Sequence, residues 1–452
     1  MDSEITKHLL SYQIQNATNV VEIIKTNGSC GDFSDTGTGK TFSSIAACKQ
    51  LGLSPIVICP RGVMATWKKV SKIFNIKPFF IVNYETIKYG KYYNEKGKRI
   101  KCKYIEFKDE KYTWKNLEKE KIIFIFDEVH KAANFNTFNG LLLISAKQTE
   151  KPVLILSATI ADTAEKFRMF AYILNFIDKE TVKNNNIDFE EYMNIINSWI
   201  DRKESMQRIY NMIYPSRGTR MRIQSISSFP ATQITATPYD IQKKKEIAIE
   251  QEYKKIRTLL EQLKEKKRKD KANILVAVLR AHQRIELLKI PLFIDLTNDF
   301  LEEGKSVVIF VNYTDTLKTL AKMLHTDCII WGGQSDDQRQ ENVQNFQDNI
   351  NKVVICNIKC STGLSLHDLT GSHPRVSLLS PCWSSIDLIQ ALGRIHRATS
   401  KSKSLQRIIF VAQTVEEKIA MKLETKLKDL NTINNLDLDL SNITFEKRYA
   451  NY

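Results

Sequence analysis

No stretch of this 452-residue chain approaches the roughly 20 apolar residues that a membrane helix needs. The first residues, MDSEITKHLLSYQIQN, lack the basic-then-apolar order of a secretory leader. Secretion and membrane insertion are thereby excluded as expectations, leaving an intracellular protein of cytoplasm or nucleus, or of a virion or viral factory. None of the eight cysteines forms a CxxC pair, and Cys356 and Cys360 have no His or Cys partners at zinc spacing. That argues against a zinc cluster or disulfide framework and for buried free thiols in a reducing compartment. No repeat of solenoid length is present, and 42% hydrophobic with 26% charged residues excludes a disordered chain. The length exceeds one ordinary core, so two domains are expected.

Acidic residues are the minority. Lys and Arg number 67 against 51 Asp and Glu, a formal net charge of +16. Such a charge suggests a polyanionic partner, although a lysine-biased composition would produce the same excess.

Buried parallel strands read as near-continuous Val/Ile/Leu/Phe runs bounded by turn residues. Such runs occur at 55–60, 79–84, 121–126 and 152–157, and again at 306–313, 326–332, 352–357, 375–381 and 405–412. The pattern predicts an α/β protein with two parallel-sheet domains, at 1–160 and 301–430. Between them, 161–300 has helical periodicity and few strand signals. It includes the charged stretch IQKKKEIAIEQEYKKIRTLLEQLKEKKRKDK, read as mostly a solvated helical face. Residues 431–452 form a short polar tail. In 88–116 lysines interleave with tyrosines; this is either a basic hairpin that touches phosphates and stacks on bases or an ordinary exposed insertion.

Four motifs carry chemistry. In Ser34-Asp35-Thr36-Gly37-Thr38-Gly39-Lys40-Thr41 the glycines let backbone N–H groups close on phosphate oxygens. Lys40 reaches the β/γ-phosphates and Thr41 ligates Mg²⁺ at a helix start. Only Ser34 departs from the strict pattern, which has glycine there. Asp127-Glu128-Val129-His130 follows a buried strand; Asp127 suits the Mg²⁺ shell and Glu128 the attacking water. Ser157-Ala158-Thr159 sets two hydroxyls at another strand end, where helix capping is the plainer explanation. On a helix, Gln390, Arg394 and Arg397 fall on one face, and two arginines so spaced suit a γ-phosphate.

The ordered set resembles a superfamily 2 helicase-type ATPase with a DExH box, most like the Swi/Snf-type branch of DNA translocases. IVICPRGVMATWKKV, IVNYETI, LILSATI, VVIFVNYTDTLKTL, GGQSDDQRQENVQNFQD, CNIKCSTGLSLHDLTG, CWSSIDLIQALGRIHRA and QTVEEKIAMKLETK resemble that branch's motifs in family order, across roughly residues 9–430. The resemblance implies two RecA-like domains with ATP and Mg²⁺ in their cleft. It makes Gln13 an adenine reader, adds Gly363 and Gln390 to the nucleotide contacts, and brings Arg394 and Arg397 in from the second domain. His130, Ser157 and Thr159 would couple hydrolysis to movement. Arg61, Trp67, Asn83, Asn312, Thr362 and Trp383 would lie near the nucleic acid, double-stranded DNA being the expected partner. The compact build suggests a viral or phage-like member. An RNA helicase, a viral transcript-release helicase and a non-enzymatic scaffold are the alternatives, the last opposed by intact Lys40, Asp127, Glu128, Arg394 and Arg397.

Overall fold

The computed structural model describes residues 1–158, 167–200, 205–226, 230–265, 268–361, 363–381, 384–421, 423–424 and 443–445. The chain divides into two compact units, the first made of residues 1–227 and 429–439, the second of 228–428 and 440–452.

The first unit is built on a six-stranded sheet in the order Gly218–Thr219, Ser29–Asp32, Val153–Leu156, Ile122–Asp127, Ser54–Cys59, Phe80–Asn83. Every pairing is parallel. Alternate residues serve opposite faces, as a period of two requires. Ile56, Ile58, Phe124, Phe126, Val153 and Ile155 pack with the helix Phe138–Gln148 and the helical segment from Arg168 onward. Val57, Cys59, Ile123, Ile125, Leu154 and Leu156 pack with the helices Ser11–Asn27, Lys40–Leu51 and Met64–Ile73. Burial on both faces explains why Val153–Leu156, Ile122–Asp127, Ser54–Cys59 and Phe80–Asn83 read as apolar runs.

The second unit holds a seven-stranded parallel sheet. Its order is Ile329–Ile330, Val353–Asn357, Ser306–Val311, Arg375–Leu379, Ser404–Val411, Thr232–Tyr239, Ile443–Phe445. Val307, Ile309, Val353, Ile355 and Leu378 pack against the helices Ile290–Glu302 and Thr314–Met323. The strand pattern predicts two such parallel-sheet units, and the family resemblance implies that they are RecA-like.

The 161–300 stretch falls on both sides of the division. Its first part, with helices at Arg168–Ile173, Lys179–Asn184, Phe189–Ile200 and Ser205–Ile213, belongs to the first unit. Its second part brings the strand Thr232–Tyr239 and the helices Lys243–Glu265 and Arg268–Leu288 to the second. The charged helix is not solvated all round: Ile249 and Ile256 are buried with Ala281, Ile285 and Val411. Within the expected polar tail, Ile443–Phe445 pairs with Ile234–Ala236 as an edge strand. Residues 425–442 lie outside the described residues.

The lysine–tyrosine stretch forms two antiparallel hairpins, Lys91–Tyr93 with Arg99–Lys101 and Ile105–Lys108 with Lys111–Trp114. Tyr92 meets Phe80, Tyr104 between the hairpins meets Phe79, and the Trp114 indole N–H donates to Ser145 Oγ at 3.0 Å, whereas Phe107 is exposed. Seven described cysteines are free thiols and six are buried, with no group of three or more His, Cys, Asp or Glu placed to hold a metal among the described residues. Among those residues no helix is long and apolar enough to cross a membrane.

Candidate active site

The strand Ser29–Asp32 ends in a buried carboxylate that organises the following loop. Asp32 accepts from Asn16 Nδ2 at 2.9 Å and from the Ser34 backbone N–H at 3.0 Å, and also holds the Ser34 hydroxyl. Burial raises its pKa, while Lys40 and these hydrogen bonds pull it back. The Ser34 Oγ in turn accepts the Met221 N–H at 2.8 Å, which explains a serine where the strict pattern has glycine. Gly37 and Gly39 have φ of +91° and +97°, in the left-handed region that glycine enters without steric cost. A Cβ on Gly39 would also lie 2.2 Å from Gln13 Nε2.

The helix Lys40–Leu51 follows with no side-chain cap. Among the described residues, the N–H groups of Gly37, Gly39, Lys40 and Thr41 donate to no protein acceptor. Such a cluster, at the positive end of a helix, suits an anion. The Lys40 ammonium donates to the Ser34 and Asp35 carbonyls at 2.7 and 3.3 Å. Burial lowers its pKa, opposed by Glu128, Asp32, Asp127 and Asp35. One cation thus sits among four carboxylates.

Asp127 ends the strand Ile122–Asp127. Its Oδ2 accepts the Trp67 indole N–H at 2.9 Å and its Oδ1 the Glu128 N–H at 3.0 Å. Burial first, then repulsion from Glu128, pushes the Asp127 carboxyl up to about 6, against the Trp67 bond and Lys40. Glu128 is in the left-handed region, φ 53° and ψ 50°, an unusual backbone for a residue with a side chain. His130 Nδ1 lies 3.4 Å from Glu128 Oε2 and 3.2 Å from Ser157 Oγ, so the histidine bridges the acidic motif and the next strand end.

With Asp127 in the Mg²⁺ role that the resemblance implies, a raised carboxyl protonates early, and kcat/KM for ATP is expected to fall about tenfold per pH unit below about pH 6. Folding stability has the opposite dependence. A carboxyl raised from 3.8 contributes stability below that value and loses it as pH rises through about 6. Thermal melts of the nucleotide-free protein and initial rates across the same pH range check both signs.

Several residues expected to touch a ligand make hydrogen bonds within the protein. Gln13 spends its amide N–H on the Thr38 carbonyl, at 2.9 Å, and Thr38 bonds its hydroxyl to the Asp35 carbonyl, at 2.8 Å. Asp35 is bound by Arg220 Nη2 and the Ile223 N–H, both at 2.9 Å, so it shapes the loop. Thr36 and Thr41 are part-buried beside it. Trp67, expected near the nucleic acid, is fully buried, and its N–H serves Asp127. Asn83 is likewise buried, donating to Glu85 at 2.7 Å and accepting from Tyr93 at 3.0 Å. Asn312 donates its amide to Glu286 and the Pro381 carbonyl, tying two strand ends together. Arg61 is exposed at the end of the strand Ser54–Cys59. Thr159, Thr362 and Trp383 lie outside the described residues.

In the second unit the helix Ser385–Leu392 stops at Gly393. Gln390 is on that helix, but Arg394 and Arg397 lie beyond it, so the three do not share one helical face. Gln390 and Arg394 are buried. Arg397 Nη2 donates to the Leu364 carbonyl at 3.0 Å, next to Gly363 with φ +81°. The Leu366 N–H donates to the Arg394 carbonyl at 2.9 Å, which joins the glycine turn to the arginine segment.

The buried Arg220–Asp35 ion pair carries no motif signature; only the basic run RGTRMR hints at it. Removing one partner of such a pair costs about 3–5 kcal/mol. Arg220→Ala is expected to lower stability on that scale in chemical denaturation, and adding Asp35→Ala to cost less than the sum of the two single changes.

Comparison with known proteins bears on both units. Residues 6–162 match the family described as type III restriction enzyme, res subunit, and residues 287–399 match the helicase conserved C-terminal domain. A protein of Acanthamoeba polyphaga mimivirus named "Putative ATP-dependent RNA helicase" is 38% identical over 97% of this chain and 86% of its own length. Among solved structures, S. cerevisiae Dbp5 bound to RNA and ADP BeF3 aligns with TM-score 0.47 and 12% identity, covering 99% of this chain and 94% of that one. The Sulfolobus solfataricus SWI2/SNF2 ATPase core in complex with dsDNA aligns with TM-score 0.35 and 16% identity, over 96% and 92%.

Proposed function

The chain belongs to the ATP-dependent superfamily 2 helicases, and from that premise we propose that it is a motor that hydrolyses ATP to move along double-stranded DNA. The observation that carries the hydrolytic part is the meeting of Lys40, Asp127 and Glu128 beside four loop N–H donors. In this reading those donors take the phosphates, and Lys40 exchanges the Ser34 and Asp35 carbonyls for phosphate oxygens. Glu128 accepts the proton of the attacking water as its oxygen bonds to the γ-phosphorus, while the bond from that phosphorus to the β,γ-bridging oxygen breaks and ADP leaves with the bonding electrons. His130 holds Glu128 in register with Ser157. Arg394 and Arg397 keep the role the resemblance gives them, as cations for the charge that develops on the transferred phosphoryl group.

Asp127 and Thr41 fit Mg²⁺. A buried carboxylate raised by a neighbouring carboxylate gains from a nearby cation, and one or two protein ligands suffice where phosphates complete the shell. The ion, when bound, neutralises phosphate charge.

What supports duplex DNA is the run of Swi/Snf-like stretches, IVNYETI, GGQSDDQRQENVQNFQD and QTVEEKIAMKLETK. An RNA substrate is the second reading, favoured by the name of the mimivirus relative. Steady-state ATPase measured with duplex DNA, single-stranded DNA and RNA separates them. Stimulation is expected to be greatest with duplex DNA, accompanied by displacement of a third strand from a triplex. Greater stimulation by RNA without triplex displacement would overturn the duplex reading.

A further inference from the structure

The first lysine–tyrosine hairpin has an electrostatic composition that its own fold does not balance. Residues 88–103 carry seven Lys and Arg against one acid, Glu95. Glu95 lies 3.5 Å from Lys77, outside the hairpin. Lys91 stands directly opposite Lys101, a like-charge cross-strand pair, which is destabilising in an antiparallel ribbon. Lys91, Lys96, Lys98, Arg99 and Lys101 are all exposed, and none forms an ion pair among the described residues.

The hairpin is held firmly in place. Tyr93 Oη donates to Asn83 Oδ1 at 3.0 Å, at the end of the edge strand Phe80–Asn83. Tyr92 packs on Phe80 with ring centroids 5.3 Å apart, and the Cys102 N–H donates to the Gly90 carbonyl at 2.8 Å. The cations therefore project from a fixed ribbon. Covering the sheet edge explains the tyrosines and the buried Cys102. It does not explain five outward cations without an acidic partner among the described residues, of which only Arg99 meets an aromatic ring, that of Tyr93 at 5.9 Å.

We propose that the hairpin formed by Lys91–Tyr93 and Arg99–Lys101 is a second nucleic-acid contact, separate from the motif residues, that grips the phosphate backbone without reading bases. It rests on the reading of this chain as a nucleic-acid motor. The turn Asn94–Lys98 contains no aromatic or apolar side chain, so it offers nothing to stack on a base or to part a base pair. What remains is charge, and phosphates neutralised by lysine or arginine release counterions into solution. Such a grip lets the motor hold its track through steps in which the motif residues release one phosphate and take the next.

The test uses the full chain with Lys91→Ser, Arg99→Ser and Lys101→Ser combined. Affinity for labelled duplex DNA and single-stranded RNA is measured by anisotropy across a KCl titration. Every phosphate left without its cation lowers the magnitude of the log–log salt slope by about 0.7–0.9, so the triple variant is expected to lower it by about 2–3. ATPase without nucleic acid is expected to be unchanged, and the wild-type ribbon 91–101 to gain hydrogen-exchange protection on binding. An unchanged slope with no added protection, in a variant that melts like wild type, would overturn the hairpin assignment alone. That result would leave an acidic protein as the partner of these charges. If the wild type bound neither nucleic acid, the motor reading would fall together with it. A Lys96→Ser, Lys98→Ser variant in the turn supplies the same readout should the triple variant fold poorly.

Discussion

Glu128→Gln is expected to lower ATP turnover by about 10²–10⁴-fold, the range a positioned general base contributes. ATP binding should be nearly unchanged. The amide matches the carboxylate in shape and keeps the left-handed backbone of residue 128, whose N–H remains available to Asp127 Oδ1. What it loses is the capacity to accept the water's proton. It also removes one negative charge beside Asp127, so the Asp127 carboxyl should titrate closer to its ordinary value. Single-turnover hydrolysis and equilibrium binding of a labelled nucleotide separate the two effects. Near wild-type hydrolysis would remove Glu128 from the mechanism, and lost binding would make it a structural residue.

Much of the fold was legible because buried parallel strands leave apolar runs. The strands Ser54–Cys59, Ile122–Asp127, Ser306–Val311 and Arg375–Leu379 each fall within or beside an expected run. Missed strands have other reasons for their conformation. Ser29–Asp32 contains a glycine and ends in the aspartate that organises the loop; no β-branched run marks it. Thr232–Tyr239 alternates polar and apolar residues and includes Pro238, inside a stretch whose other signals are helical. It is held by Ser404–Val411 on one side and Ile443–Phe445 on the other, pairings between residues far apart in sequence.

The site was legible to a different extent. Glycines at φ near +90° followed by lysine and threonine identify the loop because few other backbones can form it. Motif likeness carried no information on the bonds that residues make inside the protein. Trp67, Asn83 and Asn312 all belong to motif-like stretches, yet each spends its polar atoms on a neighbour within the protein. Glu416, in QTVEEKIAMKLETK, is a buried partner of Lys289 at 3.0 Å. A helical period likewise extrapolated through Gly393, where the helix ends, and so assigned Arg394 and Arg397 to a face that does not exist. Arg220 is the converse case: its partner Asp35 is 185 residues away, and no spacing rule connects them.

Lys40→Ala should weaken nucleotide binding and alter the folded protein's response to pH. Charge-assisted hydrogen bonds contribute about 1.5–3 kcal/mol each. Losing two to phosphate oxygens therefore weakens ATP binding by about 10²–10⁴-fold. The second effect follows from the four carboxylates around the ammonium: Glu128, Asp32, Asp127 and Asp35. Lys40 lowers the pKa of both Asp32 and Asp127, which burial raises. Without it both rise further, and more charge is left uncompensated at pH 8. A carboxyl raised in the folded state stabilises below its unfolded value and loses that contribution as pH rises through the folded one. The stability of the variant relative to wild type should therefore fall as pH rises from 5 to 8, as the two carboxyls give up protons. Lys40→Met, which keeps the side chain's length without its charge, should behave in the same way. Calorimetric ATP titration and thermal melts at the two pH values measure both effects. Normal ATP affinity would refute the phosphate-loop assignment, and a stability loss independent of pH would mean that Lys40 acts through packing instead of charge.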